Sequence, residues 1–545
     1  MTATCELVEL DMTELDELLE RAQAGPLGEE EYTKLRTALH ALAQLVKDQD
    51  ATIGQLRQLL SGRNSEKTRK VLGQAVVEHA GDGNSAAAET TAEDHSASGD
   101  GNNQGHGRNG ASAYGGARKI RVVHESIKWG DRCALCNKGK VYGLAHPAML
   151  VRIVGQVPLQ AAVYELQKLR CNLCGEVFTA APPPGVGQDK YDATAGSMMA
   201  LLKYGTGLPF HRQEKLQQSL GIPLPASTQW DIVSDLAAKI EPVYKELIRE
   251  AAQGDVVHND DTSMKILELM KDGRNTPAPD GSERTGVFTS GIVSTRQGQR
   301  MALFFTGRKH AGENLADVLS RRAAELAPPI QMCDALSRNL PKELEAILAN
   351  CLAHGRRRFV DVAQNFPEEC RHVLETLGEV YKNDALARQQ GMSSLERLSF
   401  HQAQSAPLLE GLKEWMGQQL AERKVEPNSG LGMAISYMFR HWSPLTLFLR
   451  QAGAPIDNNV CERALKKVIL HRKNALFFKT QNGAHVGDVF MSLIHTCQLA
   501  GANPFDYLTE LQKHAVDLAE QPQQWMPWNY RQQLEAASVP PHAPG

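Results

Sequence analysis

Side chains able to bind metal and phosphate lie close together between Ile456 and Phe477, where the carboxylate of Glu462 is followed by several cations. Asp457 and Asn458 are good N-cap residues and predict that a helix begins here. Glu462 falls on the face opposite the apolar positions of that helix. The basic residues that come after it are Lys466, Lys467, His471, Arg472 and Lys473. A carboxylate beside such a run is typical of an enzyme that holds a metal ion against a polyanion.

An exposed helix is the alternative interpretation of this segment. Glu462 and Lys466 would then form an i,i+4 ion pair worth about 0.3–0.5 kcal/mol. Such pairs are common on helix surfaces, so the pattern alone does not decide between the two interpretations.

Three more carboxylates lie in a segment whose apolar pattern predicts a sheet. The predicted elements are strands over 256–267, 286–293, 301–305 and 329–333, with a helix over 312–325 before the last strand. Asp334 directly follows the last strand, whereas Asp260 and Asp261 both lie inside the first. Neighbouring residues of a strand point to opposite faces, so only one of Asp260 and Asp261 can point into a site.

Short motifs along most of the chain, and in the same order, resemble those of bacterial transposases of the insertion sequence 66 family. The Asp-Asn-Asn-x-x-Glu-Arg run around Glu462 resembles the carboxy-terminal signature of that family. The other matching segments are 60–67, 208–214, 258–262, 351–359, 504–508 and 526–530, together with two Cys-x-x-Cys pairs. A colinear series of this length is hard to obtain by chance, although any single match would be weak.

The resemblance implies a ribonuclease H-like core with a DDE triad of Asp260, Asp334 and Glu462, separated by 74 and 128 residues. The family motif places the catalytic acid directly before an acidic-Thr pair, which selects Asp260 over Asp261. The long second separation resembles the helical insertion of the family, here about residues 366–453. The Ala-Leu-Ser-Arg that follows Asp334 departs from the Gly-Tyr of many relatives.

A triad of this kind is expected to bind about two Mg²⁺ or Mn²⁺ ions, because carboxylates are hard oxygen ligands. Two ions about 4 Å apart stabilise both the attacking and the leaving oxygen of a phosphodiester exchange. Water first attacks at the end of the element, and the freed 3′-hydroxyl then attacks target DNA. No covalent intermediate is required, so no Ser, Tyr or Cys nucleophile is assigned.

Two matched Cys-x-x-Cys pairs predict one structural zinc ion bound by Cys133, Cys136, Cys171 and Cys174. The 34 residues between the pairs contain an alternating segment, 151–169, that could form a hairpin spacer. Four thiolates leave no coordination position open for chemistry, which is why the zinc is interpreted as structural. The alternative is four unrelated thiols.

The amino-terminal region predicts a coiled coil followed by a linker. The heptad positions are Leu35, Leu39, Leu42, Val46, Gln49, Ile53, Leu56 and Leu60. This spacing favours a dimerising leucine zipper over an amphipathic helix packed on its own domain. Residues 79–117 are rich in Gly, Ala, Ser, Asn and Asp, which is typical of a flexible linker.

The fold class expected from these segments is multidomain α+β, with the ribonuclease H-like α/β core preceded by the coiled coil and a zinc ribbon. The expected domains are an acidic segment with the zipper (1–76), a linker (77–118), the ribbon (119–190), a helical domain (191–252), the catalytic domain (253–500) and a C-terminal segment (501–545). In the helical domain, a turn at 221–225 between two helices is compatible with a DNA-binding helix-turn-helix or with a helical lid.

Basic residues near the predicted triad are candidates for binding DNA phosphates. They are Arg356, Arg357, Lys466, Arg472 and Lys473. A solvated surface is the alternative for the Arg run. His354, beside that run, is more typical of a partly buried residue with its hydrogen bonds satisfied than of a site residue.

Bulk properties are compatible with a cytoplasmic DNA enzyme. The net charge of −4 does not announce a DNA-binding protein, but residues 1–31 contain ten acids and one base, which leaves the remainder basic. The sequence has no run of 18 apolar residues, and its acidic start does not resemble a secretory signal. Ten cysteines, four of them in matched pairs, suit a reducing compartment and a metal.

The prediction is a metal-dependent DDE transposase that acts on element ends and target DNA, associated with the nucleoid of a bacterial cell. A homo-oligomer formed through the coiled coil is expected, and the resemblance implies that accessory proteins of the same element take part. The alternatives are a non-catalytic DNA-binding regulator and a ribonuclease H-like nuclease that does not join strands.

Overall fold

The computed structural model describes residues 189–271, 286–341 and 344–538, together with parts of 122–187. The predicted zipper and linker, as well as Cys171 and Cys174, lie outside the described residues. The strands and the buried core described below belong to one compact unit, which contains the described residues of 102–362 and 368–545.

The strands form a small ribbon and a larger mixed sheet. They are β1 (Lys168–Arg170), β2 (Val177–Thr179), β3 (Val256–Ser263), β4 (Phe288–Arg296), β5 (Gln299–Gly307), β6 (Ile330–Cys333) and β7 (Ile347–Asn350). β1 pairs with β2, and the other five strands lie in the order β5-β4-β3-β6-β7. β3, β4 and β5 are antiparallel neighbours, whereas β6 runs parallel to β3 and β7 runs parallel to β6.

Helices make up most of the rest. They are α1 (Ala193–Ala200), α2 (Phe210–Ser219), α3 (Ala226–Ala252), α4 (Leu267–Lys271), α5 (Ala311–Leu319), α6 (Leu352–Val360), α7 (Pro367–Gln389), α8 (Ser394–Gln404), α9 (Ala406–Ala421), α10 (Gly430–Arg440), α11 (Trp442–Leu445), α12 (Asn459–Ala475), α13 (Gln481–Leu499), α14 (Pro504–Lys513), α15 (Ala515–Glu520) and α16 (Tyr530–Ser538). None of the helices in the described ranges is long and apolar enough to cross a membrane.

The four strands expected from the sequence are present, with different ends. β3 stops at Ser263 because the chain turns into the short helix α4. α5 ends at Leu319, six residues before the predicted end, and the Arg322 guanidinium then donates to the carbonyls of Ala252 and Gly254. β7 was not predicted, although it has the same length as β6, which was; its parallel pairing with β6 identifies it as a strand.

β5 is an edge strand whose backbone is satisfied by side chains of α13. Asp488, Ser492 and Thr496 follow one another at intervals of four and accept hydrogen bonds from the N–H groups of Thr306, Phe304 and Ala302, respectively. Residues four apart share one face of a helix, so this spacing matches the alternate outward N–H groups of the strand. The helix thereby covers an edge that could otherwise pair with another chain.

One buried core joins the sheet to helices from both ends of the described chain. It contains Leu247 of α3, Val293 of β4, Val468 of α12, Phe490 of α13 and Leu508 of α14, all of them fully buried. The fold is therefore mixed α+β, and α12, whose first turn contains Glu462, packs directly on β3 and β4.

Candidate active site

β3 directs its successive side chains to two sides of the sheet. On one side, the ring of His258 forms a 3.1 Å hydrogen bond with the N-cap side chain of α12. On the other side, the carboxylate of Asp261 lies 2.9 Å from His310 Nδ1 and 3.2 Å from the Arg338 guanidinium. Asp260 shares the side of His258, as alternation along a strand requires.

Asn339 brings the carboxylates of Asp260 and Asp334 to one point. Its amide nitrogen donates to Asp334 Oδ1 at 2.5 Å and to Asp260 Oδ1 at 3.4 Å. The backbone carbonyl of Asn339 accepts hydrogen bonds from Asn259 Nδ2 at 2.8 Å and from Gln331 Nε2 at 2.7 Å. Asn339 is fully buried, and side chains of β3 and β6 therefore fix the group that links the first two acids.

The electrostatics of this pair favour a bound cation. Burial raises the pKa of the Asp260 carboxyl to about 6, and the neighbouring charges of Asp334 and Asp261 act in the same direction. The hydrogen bonds from the Asp261 backbone and from Asn339 partly oppose that rise in pKa. A cation beside the pair would offset both the burial and the repulsion, so the donor set suits a hard divalent ion.

The start of α12 is held against the sheet by the residues that the sequence marks as caps. The Asp457 carboxylate accepts from the backbone N–H of Asn459 at 3.2 Å and from its side chain at 2.8 Å. Asn458 stands at the N-cap position, but its buried side chain makes no capping bond. That side chain instead contacts His258 and donates to the carbonyl of Asn259 at 3.2 Å, because a buried amide requires partners.

Glu462 lies one residue after the point at which α12 touches the strands beside Asp260. The Cys461 thiol donates to the carbonyl of Gly291 at 3.2 Å, and Gly291 pairs with Asp260 across β3 and β4. A Cβ at Gly291 would lie only 3.0 Å from Leu465 Cδ2, so the glycine permits this close approach. Burial raises the pKa of the Cys461 thiol well above its ordinary value, which leaves it a poor metal ligand.

Glu462 has a second set of neighbours at the start of α6. One ligand atom from each of Cys351, His354 and Glu462 lies within 4.8 Å of the other two. His354 Nδ1 is 3.8 Å from Glu462 Oε1, and both of these buried atoms are without a hydrogen-bond partner. An i,i+4 pair with Lys466 therefore does not satisfy this oxygen of Glu462.

Comparison with known proteins shows the family of the chain that carries this site. Residues 190–486, more than half of the chain, match the profile described as "Transposase IS66 family". The chain belongs to this family. Membership indicates a transposase, an enzyme class that binds, cleaves and transfers DNA and whose DDE members generally use a divalent metal ion.

Two relatives come from Sinorhizobium fredii (strain NBRC 101917 / NGR234). The protein named "Uncharacterized protein y4jD" is 27% identical over 386 residues, which cover 66% of this chain and 71% of the relative. "Uncharacterized protein y4hP" is 24% identical over 431 residues, which cover 75% of this chain and 74% of the relative. The similarity thus extends over most of both relatives.

The basic residues of α12 in this IS66-family protein have two different environments. Arg472 Nη1 donates to Thr262 Oγ1 at 3.1 Å and to Ser263 Oγ at 2.9 Å, so this guanidinium joins α12 to the end of β3. Lys466 and Lys473 are exposed. These two lysines are therefore more accessible than Arg472.

The basic residues of α6 also differ among themselves. Arg357 is exposed, whereas Arg356 is half-buried. The Arg358 guanidinium lies over the ring of Tyr437, 4.1 Å from its centroid. An aromatic contact of this kind orients the third Arg of the run.

Only half of the predicted zinc site falls within the described residues, namely Cys133 and Cys136. The Gly139 N–H lies 3.5 Å from Cys136 Sγ, and hydrogen bonds led by this one lower the pKa of the Cys136 thiol. A lower thiol pKa favours the thiolate, which is the form that binds zinc.

Sequence reasoning missed Asn339 and the ion pairs of Asp261. Asn339 lies in a 3₁₀ turn, Ser337–Asn339, that has no periodic apolar signal. Its presence five residues after Asp334 was the available clue, since an amide in a turn beside a carboxylate can donate to it.

Proposed function

We propose that this IS66-family protein is a DDE transposase with a ribonuclease H-like core, which cleaves the ends of its element and joins the 3′-hydroxyl to target DNA. The contact of Asn339 with both Asp260 and Asp334, beside the helix that bears Glu462, is the observation that carries the proposal. The strand order, with three antiparallel strands and two parallel ones, supports the core assignment.

Asp260, Asp334 and Glu462 are the residues proposed to hold Mg²⁺ or Mn²⁺, about two ions per site. All three offer hard oxygen donors, which suit these ions. Such ions, when bound, stabilise charge on the attacking and leaving oxygens and lower the pKa of the attacking hydroxyl.

The protein contributes fixed positions for the reacting groups. Asn339 holds two of the carboxylates together, and α12 is held at the Asp260–Gly291 pair by Cys461 and Leu465. Groups positioned before the reaction lose little entropy during it, which is a large part of phosphoryl-transfer catalysis. Asp261 forms an ion pair with Arg338 on the opposite side and takes no part in this proposal.

Phosphates of the DNA are proposed to bind the cations on α6 and α12. The residues are Arg356, Arg357, Lys466, Arg472 and Lys473. Exposure favours Lys466, Lys473 and Arg357 for direct contact. Arg472 already contacts the end of β3 and would act partly by fixing the shape of the DNA-binding surface.

The proposal for the whole molecule keeps the domain boundaries expected from the sequence. The leucine zipper within residues 1–76 forms a homo-oligomer on two element ends, and the four cysteines bind one structural zinc ion. The helical insertion at about 366–453 lies between the second and third acids. The protein is further proposed to act in the cytoplasm on the nucleoid, together with accessory proteins of the same element.

The test uses labelled DNA with the terminus of the element, a supercoiled target and Mg²⁺ or Mn²⁺. Wild type is expected to yield nicked ends and joined products, and Glu462→Gln is expected to lose both by at least about 100-fold, since one metal ligand is removed. Glu510→Gln, which changes a half-buried carboxylate paired with Lys513 on α14, is the matched control and should behave as wild type.

Other outcomes would assign the protein differently. Nicking without joining by wild type would favour a nuclease. DNA binding without either product, equal in wild type and Glu462→Gln, would favour a non-catalytic regulator.

A further inference from the structure

Two polar atoms, one of them on the proposed metal ligand Glu462, face each other without hydrogen bonds. They are His354 Nδ1 and Glu462 Oε1, 3.8 Å apart, and both are buried although their side chains are 28% and 27% exposed. A distance of 3.8 Å is too long for a hydrogen bond, but a small rotation of either side chain would bring it into range. Leaving both atoms unpaired costs free energy, so they are arranged to meet a partner.

The distance between the two side chains is set by the way their helices begin. The Leu352 N–H donates to the carbonyl of Ile456 at 3.0 Å, and the Asn458 N–H lies 3.2 Å from Cys351 Sγ. These two contacts join the N-terminus of α6 to the segment that opens α12. His354 and Glu462 each lie in the first turn of their helix, so their positions are coupled through this joint.

The sulfur of Cys351 belongs to the contact between the starts of α6 and α12. It is fully buried, and the Asn458 N–H already points at it. This leaves His354 and Glu462 as the pair with unused hydrogen-bonding capacity, and makes a shared Cys-His-Glu metal centre the weaker interpretation of the cluster. A carboxylate that binds a metal ion is usually held by hydrogen bonds of its own, and an imidazole N–H can supply one.

We propose that His354 is a positioning residue for Glu462, an inference that rests on the function proposed above. Its Nδ1–H donates to Glu462 Oε1 and fixes the rotamer of that side chain. Glu462 Oε2 is then left to bind the divalent ion. His354 acts only through Glu462 and does not itself contact the ion or the DNA.

The test measures Mn²⁺ binding to the full chain by the electron paramagnetic resonance signal of free Mn²⁺. Mn²⁺ prefers carboxylates, so the cysteine pairs compete little for it. His354→Ala is expected to weaken binding about 10-fold, the lower end of the range for such partners. His485→Ala removes a His from another His–Glu contact, 3.1 Å from Glu241 on α3, and should leave Mn²⁺ binding unchanged.

Two further variants separate positioning from a general loss of structure. The amide nitrogen of His354→Asn can take the place of Nδ1, so this variant should bind Mn²⁺ as wild type does. The amide of His354→Gln reaches instead toward the place of Nε2, and this variant should resemble His354→Ala. Weak Mn²⁺ binding by both His354→Asn and His354→Gln would overturn the proposal.

A double-mutant cycle shows whether His354 works through Glu462. His354→Ala should have no further effect on Mn²⁺ binding in a Glu462→Gln background. An equal effect in both backgrounds, or no effect in wild type, would overturn the role of His354 while leaving the proposed function intact. Unchanged binding in Glu462→Gln itself would instead overturn the metal-holding role of Glu462, and the inference with it.

Discussion

Asp260 and Asp261 are adjacent in the chain yet belong to different environments. The Asp261 carboxylate is held by His310 and Arg338, while Asp260 shares the amide of Asn339 with Asp334. Because successive side chains of a strand point to opposite faces, these two identical carboxylates have different neighbours. At the scale of single residues, the least expected part of the site is an amide, which links two acids that lie 74 positions apart.

Removal of that amide is expected to weaken the site. Asn339→Ala should lower the rate of DNA end cleavage about 10- to 100-fold and raise the Mg²⁺ concentration required, because Asp260 and Asp334 lose their shared donor. The measurement is the cleavage rate of labelled element ends over a Mg²⁺ titration.

A control for this change is Asn383→Ala, which removes an amide that donates to Ser405 in the helical insertion. Because Asn339 is fully buried, circular dichroism of the variant should first show retained structure. Equal rates and equal Mg²⁺ dependence in Asn339→Ala and wild type would exclude the bridging role.

At the scale of elements, α13 accepts hydrogen bonds from the edge strand β5 of the sheet, and α12 packs on β3 and β4 of the same sheet. Asp488 accepts from both the backbone N–H of Thr306, at 2.7 Å, and its hydroxyl, at 2.6 Å. Burial raises the pKa of the Asp488 carboxyl to about 7, and those two hydrogen bonds oppose the rise. The edge of β5 is therefore closed by a group that titrates near neutrality.

Asp488 should make the stability of the protein depend on pH. The folded protein binds this proton more tightly than the unfolded chain, whose carboxyl has the ordinary value of 3.8. The resulting stabilisation is complete at low pH and is lost as pH rises toward about 7. In Asp488→Asn this loss should vanish, and it amounts to about 1.4 kcal/mol per unit of pKa difference.

Urea unfolding at several pH values between about 5 and 8 measures this difference between wild type and variant. Asp231→Asn, an exposed position on α3, provides the control and should unfold in parallel with wild type. A constant free-energy difference between wild type and Asp488→Asn across this range would contradict the expectation.

At the scale of the whole molecule, β3 and α12, which carry Asp260 and Glu462, also contribute to the buried core. Side chains from α3, the sheet, α12, α13 and α14 share a single buried cluster. A ligand that binds only the folded state stabilises every element of such a structure together. Metal bound at the proposed acids should therefore be detectable in global unfolding.

Mn²⁺ is expected to raise the melting temperature of wild type at neutral pH, with a stabilisation of about 2.7 kcal/mol at 100 times the Kd. Because the pKa of Asp260 is raised to about 6, the effect should shrink as pH falls below that value and this carboxylate is protonated. Asp260→Asn should abolish most of the effect, as measured by thermal unfolding with and without Mn²⁺. The same increase in Asp260→Asn as in wild type would place the bound ion elsewhere.

Local sequence pattern and family resemblance were enough to predict several parts of this protein. The apolar periodicity of the chain indicated β3 to β6 and α5, and the motif resemblance identified the IS66 family. These succeed because strand periodicity and short motifs are properties of neighbouring residues. β7 escaped prediction, and it is identified as a strand by its parallel pairing with β6, which is a tertiary contact.

The sequence by itself determined which residue types are present, where the acids stand and which family the chain resembles. Only the tertiary structure decided that Asn339 joins Asp260 to Asp334 and that His354 faces Glu462. These contacts connect residues 79 and 108 positions apart, or lie in a turn without period. Their formation depends on strand pairing and on the joined starts of α6 and α12, which no local pattern in the chain specifies.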